Sequence, residues 1–257
     1  MKNYPRTEKY DNDWICKNWM GPNPLILLEE LCGYLDLKPC MKVLDMGCGK
    51  GLTSVFLAKE FGVTVFANDL WINATENLKR FEDAGVADLV FPIHAEAHAL
   101  PYAEGFFDAA ISIDSYHYYG ADEGYFPRTF SKLVKQGGQL GIVVPGLTRE
   151  FDKGYPDTME KFWQSYDGEL FAFHSGIWWR HLWEKTGIAK ITVCYDIENP
   201  KEIWMPWAVW ADENMPQLMK ECGIDPDIGD ADTSDVDFLN ADTNNDIALI
   251  VMAGVKN

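Results

Sequence analysis

Basic residues are scarce in this 257-residue chain: 22 Lys plus Arg stand against 40 Asp plus Glu, a formal net charge of −18. A surface of that sign repels phosphate backbones and anionic headgroups, which argues against nucleic acid and membranes as partners. No apolar run approaches the ~18 residues that a membrane-spanning helix needs. The N-terminal stretch from Met1 to Tyr10 has no apolar core of the kind a signal peptide carries. Cys16, Cys32, Cys40, Cys48, Cys194 and Cys222 include no C-x-x-C pair, and His94, His98, His117, His174 and His181 show no metal-ligand spacing. Reduced thiols, a cytoplasmic location and no bound metal are the expectations. There is no internal repeat and no low-complexity linker. Hydrophobic residues at 47% and charged residues at 24% place the chain among globular proteins, and its length suits one domain, 1–257, with elaborations.

What is present is an alternation of short apolar runs and helical stretches. Asn23-Pro24 offers a cap and a proline at the first helical position, so a helix is expected over 24–35. Strands are expected at 41–45, 63–69, 89–93, 107–114 and 139–144, with helices over 52–61, 71–84 and 125–135 between them. That rhythm means βαβ units. The expected fold is α/β: a Rossmann-like, seven-stranded, mostly parallel sheet with helices on both faces. Beyond strand five, residues 148–175 read as irregular. A helix over 177–185, a strand over 189–195, a helix near 206–221 and a last strand over 246–255 follow. The stretch 225–246 carries Asp225, Asp227, Asp230, Asp232, Asp235, Asp237, Asp242 and Asp246. A calcium loop needs Gly at its sixth position and Glu at its twelfth. Starting at Asp225 puts Asp230 at the Gly position, and starting at Asp230 puts Asp235 there, so the stretch reads as a solvated acidic loop.

The strongest local signal is Asp45-x-Gly47-x-Gly49-x-Gly51 at a strand-to-helix turn. Glycines let another molecule approach the backbone, and the helix beyond offers unpaired N–H groups. A dinucleotide fingerprint would read G-x-G-x-x-G, and here the third Gly comes one residue early. Asp69 ends the second strand, Glu96 follows the third and Asp114 ends the fourth. Four acids past four successive strands share the sheet edge where open α/β sheets bind ligands.

In this order, Val43-Leu44-Asp45-Met46-Gly47-Cys48-Gly49-Lys50-Gly51, Asp69-Leu70, Ala95-Glu96-Ala97 with Leu100-Pro101-Tyr102, Phe107-Asp108 and Leu133-Val134-Lys135-Gln136-Gly137-Gly138 resemble the class I S-adenosylmethionine-dependent methyltransferases over Pro39 to Pro145. Within that class the chain looks most like the bacterial small-molecule branch, similar to ubiquinone-biosynthesis and cyclopropane-fatty-acid-synthase-like methyltransferases. Glu96 stands where the family usually has Asp, and Gln136 where Pro is usual. The resemblance implies that Asp45, Gly47, Gly49 and Gly51 cradle the methionine end of S-adenosylmethionine. Asp69 would then hold the ribose hydroxyls, Leu70 and Trp71 pack on the adenine, and Glu96 with Ala97 meet its amino group. S-adenosylhomocysteine would be the product. The alternative is a non-catalytic S-adenosylmethionine-binding sensor or partner subunit.

The acceptor side is less determinate. In Asp114-Ser115-Tyr116-His117-Tyr118-Tyr119, His117 is the candidate general base, or else a loop-organising residue, and Asp114 is a second candidate. Tyr116, Tyr118, Trp178, Trp179 and Arg180 are candidate pocket residues, with Trp204, Trp207 and Trp210 a further aromatic set. These indoles either pack a substrate cover formed by 146–245 onto the sheet or line a pocket within it. Residues 1–22 either close over the cofactor core of 39–145 as a lid or form a surface helix, and 246–257 supply the last strand. The acceptor is a small molecule whose methylated atom (N, O, S or C) and whose partner subunits, if any, the sequence leaves open.

Overall fold

The computed structural model describes residues 2–165, 170–223 and 234–257. Helices α1 (Asn12–Asn18) and α2 (Pro24–Cys32) precede β1 (Lys42–Met46). Then come α3 (Leu52–Phe61), β2 (Thr64–Asp69), α4 (Ala74–Asp83), β3 (Val90–His94) and β4 (Phe107–Ile113). The short α5 (His117–Gly120), a π-helical turn (Phe126–Phe130) and the one-turn α6 (Ser131–Leu133) lead to β5 (Val134–Leu147). The C-terminal part holds α7 (Glu160–Ser165), α8 (Gly176–Glu184), β6 (Ala189–Asp196), α9 (Pro200–Glu221), α10 (Asp235–Ala241) and β7 (Ile247–Lys256).

The seven strands form one sheet in the order β3-β2-β1-β4-β5-β7-β6. Every pairing from β3 to β5 is parallel, and β7 runs antiparallel between β5 and β6. The order reverses between β1 and β4, so a crevice opens beyond their C-terminal ends. The central strands are apolar runs because helices cover both faces: Val43, Leu44, Ala109, Ala110 and Ile111 have no exposed surface. One core lies under α2, α3 and α9, and the other under α8 and the 116–133 segment.

Local chemistry sets the helix ends. Asn23 accepts from the N–H groups of Leu25 and Ile26, with Pro24 at the first helical position. Asn73 caps α4 and Ser175 caps α8 in the same way. Gly51, at φ 82°, opens α3 with no side-chain cap, and Gly62 at φ 65° ends it.

The expected helix over 125–135 is instead a π turn and one α turn, because β5 begins five residues earlier than expected and bulges through Gly137, at φ 74°. The expected irregular 148–175 stretch contains α7. The helix expected near 206 starts at Pro200 and runs through Pro206 and Pro216. Asp225, Asp227, Asp230 and Asp232 of the acidic stretch lie outside the described residues. Asp242 is no surface acid. It is 1% exposed, accepts from the N–H groups of Asp246 and Ile247 and pairs with Lys201, so it anchors the start of β7.

Candidate functional site

A cleft of about 250 Å³ opens at the C-terminal ends of β1 to β4. Its wall begins with the glycine loop. The N–H groups of Gly47 and Cys48 both donate to the Asn68 carbonyl, at 2.8 and 3.0 Å, which turns the chain sharply away from β1. Gly47, Gly49 and Gly51 all have positive φ. At Gly47 a Cβ would lie 1.9 Å from Ser115 Oγ, and at Gly51 2.4 Å from the Phe81 ring, so two of the three glycines are demanded by close approach as well as by φ.

Asp69 organises this loop. Its Oδ2 accepts from Gly49 N at 2.7 Å, and its Oδ1 accepts from Trp71 N and Ile72 N at 2.8 and 2.9 Å. Burial pushes its pKa up, and those three N–H groups oppose the shift. Asp45 lies beneath the loop, fully buried. Burial raises its carboxyl to about 6, against the hydroxyls of Ser54 and Thr53, which donate to its Oδ2 at 2.5 and 2.7 Å. Its Oδ1 is buried with no hydrogen-bond partner among the described residues, as is Asn68 Oδ1 at the cleft. Buried polar atoms are seldom left so, and these two are acceptors awaiting a donor.

Of the residues expected to hold a cofactor, Gly47, Gly49, Asp69, Leu70, Trp71, Glu96 and Ala97 stand together on the cleft wall. Asp45 and Gly51 stand behind it. The Leu70 and Trp71 side chains are about half exposed at the rim. Glu96 is engaged locally: it accepts from His98 N at 2.8 Å and its Oε1 lies 2.7 Å from His98 Nδ1, which holds its pKa below the usual carboxylate range.

On the acceptor side the structure sorts the expected residues differently. Asp114, at φ 53°, and Tyr118 face the cleft together with Ser115 and Tyr119. His117 does not line it. One helical step turns neighbouring side chains by about 100°, so Tyr118 meets the cleft while the buried His117 ring lies 5.9 Å from that of Phe173. Tyr116 is not a pocket residue either: it is fully buried in the opposite core, against the rings of Phe130, Trp179 and Trp183. Trp179 is sealed in that same core, Trp178 stacks on His174 at 3.7 Å, and Arg180 is exposed and paired with Glu184. Apolar helical spacing alone does not distinguish a core stripe on α8 from a pocket wall.

Residues 18–22 complete the wall with Asn18, Met20, Gly21 and Pro22. They are held there by Ile15 and Trp19, both buried, with Trp19 6.0 Å edge-on to Trp210 of α9. Lys50 of the glycine loop is buried and ion-paired at 2.7 Å with Glu221 at the end of α9. No sequence signal links positions 50 and 221. Among the described residues no cluster of His, Cys, Asp and Glu is arranged for a metal, and no helix is long and apolar enough to cross a membrane.

Comparison with known proteins agrees with this geometry. Residues 43–138 match the methyltransferase domain family, and the seven-stranded fold is that of solved methyltransferases. The chain is 33% identical over 117 residues to methyltransferase GfsG of Streptomyces halstedii, covering 45% of this chain and 42% of that protein. Its fold is similar to that of geranyl diphosphate C-methyltransferase from Streptomyces coelicolor A3(2), solved with Mg2+, geranyl diphosphate and S-adenosylhomocysteine (TM-score 0.66, 16% identity, 90% of this chain and 79% of that one). It is also similar to phosphoethanolamine N-methyltransferase 2 of Haemonchus contortus, solved with S-adenosylmethionine (TM-score 0.69, 18% identity, 98% of this chain and 57% of that one). The match spans less than half the length of the first curated relatives, 42%, 37% and 43%.

Proposed function

We propose that this chain transfers a methyl group from S-adenosylmethionine to a small-molecule acceptor. The observation that carries the reading is the gathering of the glycine loop, Asp69, Leu70, Trp71 and Glu96 around one cleft at the sheet's reversal point. The residues fit the cofactor chemically. Uncapped α3 leaves N–H groups for a carboxylate. The unpartnered Asp45 Oδ1 and the negative field of Asp45 and Asp69 suit a cationic ligand. Asp69 retains lone pairs for ribose hydroxyls after its three backbone bonds, and Leu70 and Trp71 offer apolar faces to a purine.

When bound, S-adenosylmethionine supplies an electrophilic methyl on a sulfonium. The work left to the chain is alignment and exclusion of water. Asp114, Ser115, Tyr118 and Tyr119 line the acceptor end of the cleft, where Asp114 or Tyr118 could take a proton from an acceptor that must lose one. Residues 18–22 shield the opening. This assigns the proton-handling role expected of His117 to neighbours on the cleft wall, with His117 behind them. The free thiols of all six cysteines suit a reducing cytoplasm.

Calorimetry tests the cofactor assignment: S-adenosylmethionine and S-adenosylhomocysteine should bind and NADH should not. Incubation with methyl-labelled cofactor and a cell metabolite extract tests catalysis. Binding without any labelled product would favour a sensor or partner subunit, and NADH binding alone would remove the assignment altogether.

A further inference from the structure

A second aromatic compartment adjoins the cleft. Its hub is Phe173, whose ring centroid lies 6.5 Å from Trp163, 6.3 Å from Trp204, 6.4 Å from Phe238 and 5.9 Å from His117. Trp207 follows Trp204 by three residues on α9, hence on the same helix face. A continuous chain of rings connects the compartment to the cleft: His117 contacts Tyr118 at 4.1 Å, and Tyr118 contacts Trp71 at 5.5 Å. The elements that carry these rings, α7, the 170–173 turn, α9 and α10, are the long insertions around β6.

The indole N–H groups of Trp163, Trp204 and Trp207 are buried, and none has a hydrogen-bond partner among the described residues. Each of the three side chains belongs to a residue no more than 7% exposed. A buried indole N–H ordinarily finds an acceptor, and leaving one without costs free energy. Three on one cluster are therefore three donors without an acceptor of their own. Trp179 and Trp183 of α8 have the same unpartnered group, but they lie in the opposite core, packed on Tyr116, and belong to a separate cluster. The charge balance is the second constraint. Among the described residues Lys50 is the one buried Lys or Arg, and the cation on α7, Lys161, lies over the ring of Phe162. The buried Lys50 is committed to Glu221 and Lys201 to Asp242. With a net charge of −18 behind them, neutral donors and apolar rings are poorly suited to a phosphate or diphosphate.

We propose that this compartment receives the acceptor, and that the acceptor is an uncharged, largely apolar molecule whose oxygen, of the phenol, carbonyl or ether type, accepts from one or two of the indole N–H groups of Trp163, Trp204 and Trp207. The inference rests on the methyltransferase reading of the adjoining cleft and gives that site its substrate class. It also separates this chain from proteins that act on phosphorylated acceptors: the rings supply area and orientation, and the indole N–H groups select an oxygen in place of a charge-paired phosphate. In this structure the rings close on one another, so entry requires the insertions to part.

The test uses the full chain with 15N-labelled tryptophan, and two probes that share one ring system, 2-naphthol and its phosphate ester, 2-naphthyl phosphate. Trp163→Phe, Trp204→Phe and Trp207→Phe assign the indole resonances and each removes one N–H while keeping a ring. 2-Naphthol should shift the three resonances, and 2-naphthyl phosphate should bind at least ten-fold more weakly. Trp204→Phe should weaken 2-naphthol about five-fold, the usual net worth of one neutral hydrogen bond, while leaving S-adenosylhomocysteine affinity unchanged. Trp163→Phe provides the same comparison if the first variant is unstable. No shift with 2-naphthol, equal or tighter binding of the phosphate, or variants that titrate like the parent would overturn the proposal. The titrations are run with and without S-adenosylhomocysteine. A chain that takes 2-naphthol but not the nucleoside would overturn the cofactor reading alone.

Discussion

Gly21→Ala tests how the N-terminal segment is seated. Gly21 sits between α1 and α2 on the cleft wall, with its backbone against the Asp114 carboxylate. A Cβ there would lie 1.8 Å from Asp114 Oδ2 and 3.1 Å from Cγ. Ordinary carbon–oxygen contact needs roughly 1.5 Å more. Asp114 cannot yield freely, because its backbone is held at φ 53° with its N–H donating to the Val143 carbonyl at 2.7 Å. The strain must be met by lifting residues 18–22 or by forcing the carboxylate off its rotamer, and such overpacking costs about 1–3 kcal/mol. For a chain of this size that is a fall in Tm of roughly 2–12 °C. If the segment lifts, the binding-competent fraction falls with it, and S-adenosylhomocysteine affinity should drop about 5–150-fold. Asp114→Gly removes the carboxylate and tolerates positive φ, so the Gly21→Ala/Asp114→Gly double variant should regain most of the loss. Thermal denaturation measures this without any ligand, and calorimetry adds the binding term. A Gly21→Ala protein with parental Tm, or a double variant no better than Gly21→Ala, would refute the argument.

Asp69→Ala should reduce stability as well as cofactor affinity, by about 1.5–3 kcal/mol in each, because its carboxylate satisfies three backbone N–H groups; unchanged denaturant midpoint would show that the loop holds itself. Asp45 titrates near 6 in the fold against an ordinary value of 3.8. The folded form thus prefers the proton, and stability from this group is complete below about pH 4 and lost as pH rises through 6. Asp45→Asn should flatten that part of the stability–pH curve of the ligand-free protein, a difference on the order of 3 kcal/mol, and a curve that keeps its slope would assign the titration elsewhere. Trp179→Ala should cost about 3–5 kcal/mol through the cavity it leaves while Arg180→Ala changes stability little; equal effects in urea denaturation would contradict their placement. Deleting residues 1–20 removes Ile15 and Trp19 from the core, so the shortened chain should lose Tm by several degrees in a thermal scan, and a parental Tm would show those contacts to be dispensable.

Local chemistry made the cofactor half of the molecule readable in advance. Strand and helix positions from 24 to 113 came from periodicity, Asn23-Pro24 and the glycine turn, and each is a short-range signal. The acids Asp69, Glu96 and Asp114 were legible because parallel strands deliver their C-terminal ends to one edge whatever the side chains beyond. Asp69 was found as a ligand-side acid, but its three backbone bonds were not, since they depend on how the loop after β1 folds back on the end of β2.

The other half needed the tertiary structure. Trp178, Trp179 and Trp204 are the same residue type on helices of the same elaboration, yet Trp179 is sealed in one core, Trp178 stacks on the half-buried His174 and Trp204 packs in the compartment beside the cleft. His117 and Tyr118 are neighbours in sequence and point to different places. The sequence by itself determined the α/β alternation, the glycine turn and the acidic edge, because hydrophobic period and backbone conformational preference act over a few residues. Only the tertiary structure decided which aromatic faces which space, why position 21 must be glycine and which lysine meets Glu221, because those depend on contacts between segments 90 to 170 residues apart, which no local pattern encodes.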